Sequence, residues 1–173
     1  MLTAEVVEPA PVFRIMPATP HDVPAILAMI EALVDYEELR PLCVATEGDL
    51  RAALFGSRPA AEVLLGWEAQ TVVASAPFFH NFSTFLGRKG LYLEDLFVRP
   101  SYRRRGYGRA LLIHLVRIAV DRGCGLFEWA VLGWNAPAIA FYQPLGGVAA
   151  GLAHRSPHRS GTGRPRDRRA EGS

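Results

Sequence analysis

The size, composition and charge of the chain exclude several classes of protein. Its 173 residues are 50% hydrophobic and 21% charged, which is typical of one globular domain and not of a disordered or fibrous chain. A net charge of +2 is too small to indicate a nucleic-acid-binding protein.

The first elements predicted are a leader, a strand and a helix. Residues 1–11 read as a flexible leader without the basic and apolar regions of a signal peptide. Residues 11–19 alternate in a short strand pattern, and a helix is predicted to start near Asp22. Its helically spaced apolar residues are Ile26, Met29, Ile30, Leu33 and Val34.

A short helix, a hairpin and a third segment of strand follow. Residues 46–55 predict a helix capped by Thr46. Residues 61–82 are rich in strand-forming residues with a polar break at 68–71, which predicts a hairpin. Residues 90–98 predict one continuous strand, because the residue before a proline rarely continues regular structure and Arg99-Pro100 follows.

The second half of the chain alternates helix, strand and helix. An apolar stripe predicts a helix that starts after Gly106 and closes at Gly123. Residues 126–132 predict the next strand. Residues 135–147 contain a last predicted helix, with Asn135 as its N-cap, Pro137 in its first turn and its end at Pro144 and Gly146.

This order of elements predicts one α/β domain over residues 12–150, built around a mixed sheet. Strands 91–98 and 126–132 are joined by a helix and are therefore expected to be parallel neighbours. Beyond them only a weak strand is predicted at 148–153. Residues 151–173 carry six arginines against two acids, so they are +4, read as disordered, and leave the rest of the chain at −2.

The two cysteines and the hydropathy of the chain bear on its compartment. Cys43 and Cys124 are in no metal-ligand or redox spacing, so no metal site is predicted and a reducing compartment is favoured. No apolar run reaches the roughly 18 residues of a membrane-spanning helix. We expect a cytoplasmic protein without membrane attachment.

The segment RRRGYGRA, residues 103–110, predicts an anion-binding turn. Gly106 and Gly108 permit close backbone approach, the N-terminus of a helix attracts anions, and arginines add charge-assisted contacts to phosphate. The segment is no Walker loop, and Leu111 stands where a dinucleotide fingerprint needs glycine. The alternative is a basic turn that only starts a helix.

This loop has the pattern Arg-x-x-Gly-x-Gly, and it resembles the acetyl-CoA loop of the GNAT family of N-acetyltransferases. The similarity continues in YLEDLFV and in GWNAPAIAFYQPLG, and over residues 12–147 it points to the diamine (spermidine/spermine) acetyltransferase branch. The resemblance implies an α/β fold with a mixed, mostly antiparallel sheet. Its central parallel strand pair would splay at the acetyl-CoA site, and helices would flank the sheet.

The resemblance implies acetyl-CoA as co-substrate, with its pyrophosphate on the loop and its pantetheine arm along residues 96–98. Arg103 holds the motif position, whereas Arg104 and Arg105 would contact phosphate mainly through backbone N–H groups. For Asn135, capping of its helix is the alternative to a cofactor contact, and both can hold. The cofactor-binding residues implied are Leu96, Phe97, Val98, Arg103, Arg104, Arg105, Gly106, Tyr107, Gly108, Arg109, Asn135 and Pro137.

Two residues match the family's catalytic positions. Glu94 would take the proton of the attacking amine, and Tyr142 would give a proton to the leaving thiolate. The alternatives are that Glu94 points to solvent by strand alternation and that Tyr142 is a core aromatic residue. The role of Asp95 stays open.

The substrate site is implied less directly. The amine-binding residues predicted are Tyr36, Glu37, Glu94, Glu128 and Trp129. Ser83 and Phe85 stand where the polyamine enzymes carry aspartate and tryptophan, which weakens the case for a long polycation.

The sequence thus predicts an acetyl-CoA-dependent N-acetyltransferase that acylates a primary amine of a small molecule directly. The substrate class is a polyamine, a diamine or an amino acid like thialysine. Similar enzymes return with two more strands after the helix of Tyr142, and here those strands are doubtful, so the alternative is a non-catalytic or degenerate acyl-CoA-binding protein. A homodimer is expected, and nucleic acid is not an expected partner.

Overall fold

The computed structural model describes residues 12–145 and 151–152. They fall into two compact units, one ending at Trp129 and the other beginning at Ala130. The elements of the first unit are β1 (Phe13–Pro17), α1 (Val23–Tyr36), α2 (Glu47–Phe55), β2 (Glu62–Glu68), β3 (Thr71–Ser83), β4 (Arg88–Leu93), β5 (Phe97–Val98), α3 (Tyr107–Asp121) and β6 (Phe127–Trp129). Those of the second are β7 (Val131–Leu132), α4 (Ala136–Tyr142) and β8 (Gly151–Leu152).

In the first unit, the described strands form one mixed sheet in the order β1-β2-β3-β4-β6, with β5 also paired to β3. Every pair is antiparallel except β4 and β6, where Leu91 lies opposite Phe127 and Leu93 lies opposite Trp129. The predicted fold class and the predicted parallel neighbours are therefore confirmed.

Helix α1 covers one face of this sheet. Its residues Ile26 and Met29 are buried and pack with Val63 and Leu65 of β2. These positions lie three apart on the helix and two apart on the strand, which are the periods that place residues on one face. The apolar spacing read from the sequence is thus the stripe that α1 buries.

Helix α3 contacts β2, β3 and β5 and buries a stripe of its own. Leu111 and Leu115 have no exposed surface. Just after the helix, the guanidinium carbon of Arg122 lies 5.7 Å from the ring centre of Phe78, whose side chain alternates to the face opposite Val63 and Leu65. The helix ends as predicted, because Gly123 takes the left-handed conformation with φ of 66°.

The continuous strand predicted over residues 90–98 is wrong, because the structure breaks it at 94–96. Leu93 pairs with Phe78 and Phe97 pairs with Ser75, so this strand uses one residue more than β3 over the same stretch and forms a bulge. The cause lies in β3, where Pro77 has no N–H to offer. Its carbonyl still accepts the N–H of Glu94 at 3.0 Å. The strand predicted over 126–132 is likewise divided, into β6 and β7, at Ala130.

The second unit contains α4 and a pair of two-residue strands. Helix α4 ends at Tyr142, two residues before Pro144, which together with Gly146 is the predicted stop signal. Strand β7 pairs in parallel with β8, which lies inside the weak strand predicted at 148–153. Apart from β8, the Arg-rich tail lies outside the described residues, as does the leader 1–11.

None of the helices in the described residues combines the length and the apolar character that crossing a membrane requires.

Candidate active site

The C-terminal end of α1 meets the bulge of the sheet. The ring of Tyr36 lies 6.4 Å from the ring of Phe97, measured between centroids. The next residue, Glu37, is near enough to Asp95 for its charge to affect that carboxyl. Three predicted site residues, Tyr36, Glu37 and Glu94, are therefore gathered around residues 94–97, where the strand leaves the regular ladder.

Asp95 is a partly buried acid of this cluster. Burial raises its pKa to about 6, and the neighbouring carboxylates of Glu94 and Glu37 add to the shift. Burial also raises the pKa of Glu37. Glu94, in contrast, is exposed. Three carboxyl groups held together favour a cation between them, because a cation relieves their mutual repulsion.

Asp95→Asn should stabilise the free protein at pH 8 and flatten its pH dependence. The pKa of Asp95 is raised in the folded state, so the folded chain binds the proton more tightly than the unfolded chain does. Stability is therefore lost as the pH rises from about 3.9, the ordinary pKa of aspartate, to about 6, and by up to about 3 kcal/mol.

The measurement is urea unfolding from pH 4 to 8. Asp35→Asn, at an exposed acid of α1, is the control and should keep the wild-type slope. An Asp95→Asn curve parallel to that of the wild type would contradict the prediction.

The three arginines of residues 103–105 have different surroundings. Arg103 donates from Nε to the carbonyl of Val98 at 2.9 Å, and its guanidinium carbon lies 4.3 Å from the ring centre of Tyr36. Arg104 is exposed and takes a left-handed backbone conformation with φ of 63°. Arg105 pairs with Glu68, with Nη1 3.1 Å from Oε1. Arg103 therefore connects the loop to the end of α1.

The start of α3 fits an anionic group. Gly106 has φ of 83°, and a Cβ added there would meet nothing within 4 Å. Among the described residues, no side chain caps the N-terminus of α3 or of α1, whereas Thr46 caps α2 and Asn135 caps α4. The first N–H groups of a helix need acceptors, and here they have none from a cap. The loop therefore suits the pyrophosphate of coenzyme A, which residues 103–109 would hold.

A second group of polar residues lies across three strands of the sheet. Asn81 of β3 donates from Nδ2 to Glu128 of β6 at 2.7 Å. The side chain passes over Gly90 of β4, where a Cβ would lie 2.2 Å from Oδ1 of Asn81. Tyr92 lies opposite Glu128, and burial and nearby carboxylates, first Glu94 and then Glu128, raise its pKa. Glu128 is thus held at one position on the sheet, near Tyr92.

Three predicted site residues lie in the second unit. Asn135 accepts the N–H of Ala138 at 3.1 Å through Oδ1, so its predicted capping role is confirmed. Pro137 lies in the first turn of α4. Tyr142, at the end of this helix, packs edge-on against Phe141 with 4.9 Å between ring centres. Their contacts to cofactor or substrate stay predictions.

Sequence reasoning missed Glu68, Asn81 and Tyr92. Glu68 reads only as the polar break of a hairpin, and Asn81 as one polar residue near a turn. Tyr92 carries a signal that could have been used, since strand alternation places it two residues from Glu94 and on the same side. The pairing of Asn81 with Glu128 has no such signal, because it depends on the register of three strands.

Comparison with known proteins identifies the family. Residues 28–146 match the profile described as the Acetyltransferase (GNAT) family. L-ornithine N5-acetyltransferase NATA1 of Arabidopsis thaliana is 34% identical over 77% of this chain and 78% of its own. A thialysine N-epsilon-acetyltransferase of Sus scrofa is 36% identical over 70% of this chain and 75% of its own.

A solved structure shows the same fold. The crystal structure of an aminoglycoside acetyltransferase from an uncultured soil metagenomic sample has a TM-score of 0.71 to this chain. It covers 83% of this chain and 94% of its own at 15% identity, so it is similar in fold alone. The family profile and the two relatives carry the assignment further: this chain is an N-acetyltransferase that belongs to the GNAT family.

Proposed function

We propose that this enzyme transfers the acetyl group of acetyl-CoA directly to the side-chain amine of a small diamino acid. The observation that carries the proposal is the grouping of the carboxyls of Glu37, Glu94 and Asp95 beside the aromatic ring of Tyr36. Such a cleft favours an ammonium group. The relatives named for ornithine and thialysine support the same class, since both compounds carry two amines.

Glu94 is the proposed proton acceptor. A primary alkylamine has a pKa near about 10, so it arrives protonated and cannot attack until it loses a proton. Glu94 is exposed and follows directly on β4, and it can take this proton directly or through water. Glu37 and Asp95 would hold the ammonium group close to it.

Tyr142 is the proposed proton donor. Bound acetyl-CoA supplies a thioester whose carbonyl carbon forms the new C–N bond as its C–S bond breaks. The phenol of Tyr142 would give its proton to the departing sulfur, which then leaves as a thiol. Residues 96–98 would lie along the pantetheine arm, and Asn135 and Pro137 would contact the cofactor from the start of α4.

The charged side chains of the site favour a short substrate over a long polycation. Ser83 and Phe85 replace the aspartate and tryptophan expected of polyamine enzymes, so a long polycation would lack one counter-charge here. Glu128, held by Asn81, offers a single carboxylate for a second ammonium group, with Trp129 next to it in β6. A diamino acid therefore fits better than spermidine. A cytoplasmic location and a homodimer are part of this proposal.

The proposal predicts an order of kcat/KM among a set of amines. Purified protein with acetyl-CoA is mixed with L-ornithine, thialysine, spermidine or L-norvaline, and released thiol is followed by absorbance. We expect ornithine or thialysine to have the highest kcat/KM, with spermidine at least roughly tenfold lower because one pairing of charges is lost.

L-Norvaline is the matched control, because it has the ornithine carbon chain without the side-chain amine and should release no thiol. Stabilisation of the protein by CoA without thiol release from any amine would favour the non-catalytic alternative. A preference for spermidine would overturn the assignment to diamino acids while leaving the acetyl transfer intact.

A further inference from the structure

Glu68, the last residue of β2, contacts both residues that flank Gly106. Its carboxylate lies 3.1 and 3.2 Å from Nη1 of Arg105, and it accepts a hydrogen bond from the phenol of Tyr107. Only 11% of its side chain is exposed. A carboxylate so enclosed depends on these two partners for most of its hydrogen bonding.

Tyr107, which donates to Glu68, also packs against the first strand of the sheet. Its ring is stacked on the ring of Phe13 of β1, with 3.9 Å between centroids and an angle of 3°. Phe13 in turn lies over Gly66, where an added Cβ would be 2.6 Å from its ring. The first residue of α3 is thus fixed by β1 and β2 together.

Arg105 also contacts residues that precede it in the chain. Besides Glu68, its Nη2 donates to the carbonyl of Ser101 at 3.4 Å, and its guanidinium carbon lies 5.1 Å from the ring centre of Tyr102. A hydrogen bond that Arg105 donates to the Tyr107 oxygen, together with the charge of Glu68, raises the pKa of Arg105. Arg105 and Arg104 are both exposed, but the Nη1 and Nη2 groups of Arg105 already donate within the protein.

A matched ion pair lies at the other end of the same helix. Glu62, the first residue of β2, accepts two hydrogen bonds from Arg122, the residue that follows α3. The two terminal glutamates of one strand therefore hold the two ends of one helix. Only the pair of Glu68 adjoins the predicted cofactor loop, so the pair of Glu62 provides an internal comparison.

We propose that Glu68 is a positioning residue for acetyl-CoA, and that the side chains of Arg105 and Tyr107 act on the cofactor through Glu68, while only their backbone N–H groups face its phosphates. This inference rests on the proposed function, since it concerns the loop that would hold the pyrophosphate. Glu68 fixes the backbone on both sides of Gly106, and Arg105 cancels a carboxylate that would otherwise repel phosphate. Since Arg105 is paired with Glu68, Arg104 and Arg109 are then the arginines whose side chains would meet the anion.

The test is a double-mutant cycle read by calorimetric CoA binding, which needs no amine and no turnover. Arg105→Met should weaken CoA binding roughly tenfold, because it leaves the enclosed Glu68 carboxylate without its cation. In the Glu68→Gln background the same change should cost less than about twofold, since no charge remains to be cancelled. Direct contact of Arg105 with phosphate predicts equal losses in both backgrounds, and that result would overturn the proposal.

Two controls separate positioning from general stability. Arg104→Met removes the same charge from the same loop and should weaken CoA binding equally in both backgrounds. Glu62→Gln with Arg122→Met removes the matched pair and should lower the melting temperature with CoA affinity unchanged. If Arg105→Met lowers only the melting temperature, Glu68 is structural and the proposal fails. Failure of the proposed function appears separately, as CoA binding without thiol release in the amine panel.

Discussion

Glu94→Gln is expected to lower kcat by roughly 10²- to 10³-fold while CoA affinity stays within about twofold. Glutamine keeps the size of the side chain and removes the proton acceptor, and Glu94 is not one of the residues predicted to hold CoA. The loss should therefore fall on the chemical step. Steady-state kinetics with the best amine and calorimetric CoA binding measure the two quantities.

The loss of kcat in the Glu94→Gln variant should become smaller as the pH approaches 10. There the amine loses its proton to solvent, and a protein base is no longer needed. Tyr142→Phe provides the contrast, because it removes the proton donor to the leaving sulfur. Its loss of kcat should persist at high pH. The exposed Glu47 of α2 gives a control, since Glu47→Gln should leave kcat unchanged. A Glu94→Gln deficit independent of pH would contradict its role as base.

Leu115→Ala is expected to lower the free energy of unfolding by about 3 kcal/mol. Leu115 has no exposed surface and lies in the buried stripe that α3 presents to the sheet. The shortened side chain loses the burial of three carbons and leaves a cavity that the packed interior fills only in part. Urea unfolding of the free protein measures the change.

Ile113→Ala is the matched control on the same helix. Its side chain is 44% exposed, so removing a similar number of carbons should cost less than about 1 kcal/mol. Equal losses from the two variants would show that α3 does not bury the stripe formed by Leu111 and Leu115. CoA affinity measured well below the melting temperature should stay near the wild-type value in both.

The helices were predictable because their signals are local. Thr46 and Asp49 lie three residues apart and form the capping box that starts α2, with the Thr46 hydroxyl accepting the Asp49 N–H at 3.2 Å. Asn135 caps α4 in the same way, and Gly123 ends α3. Each of these features is decided by residues within one turn of helix.

The bulge at Glu94 was not predictable because its cause lies on another strand. YLEDLFV contains no breaker, and the break appears only when Pro77 of β3 is placed opposite it. Glu68 and Asn81 were missed for the same reason, since their partners Tyr107 and Glu128 are brought near by strand register and helix packing. The resemblance supplied Glu94 and Tyr142 but not the residues that hold the site in place.

The uncapped start of α3 makes completion of this helix depend on binding. In the free protein, water must serve the N–H groups that Thr46 serves in α2 and Asn135 serves in α4. An anion bound there would accept hydrogen bonds from these N–H groups and stabilise the first turn of α3. Cofactor binding and the folding of this turn would therefore be coupled. A side chain that capped α3 would strengthen the empty protein and compete with the ligand. The start of α3 is thus less stable than a capping side chain would make it, at the place where the co-substrate would complete the helix.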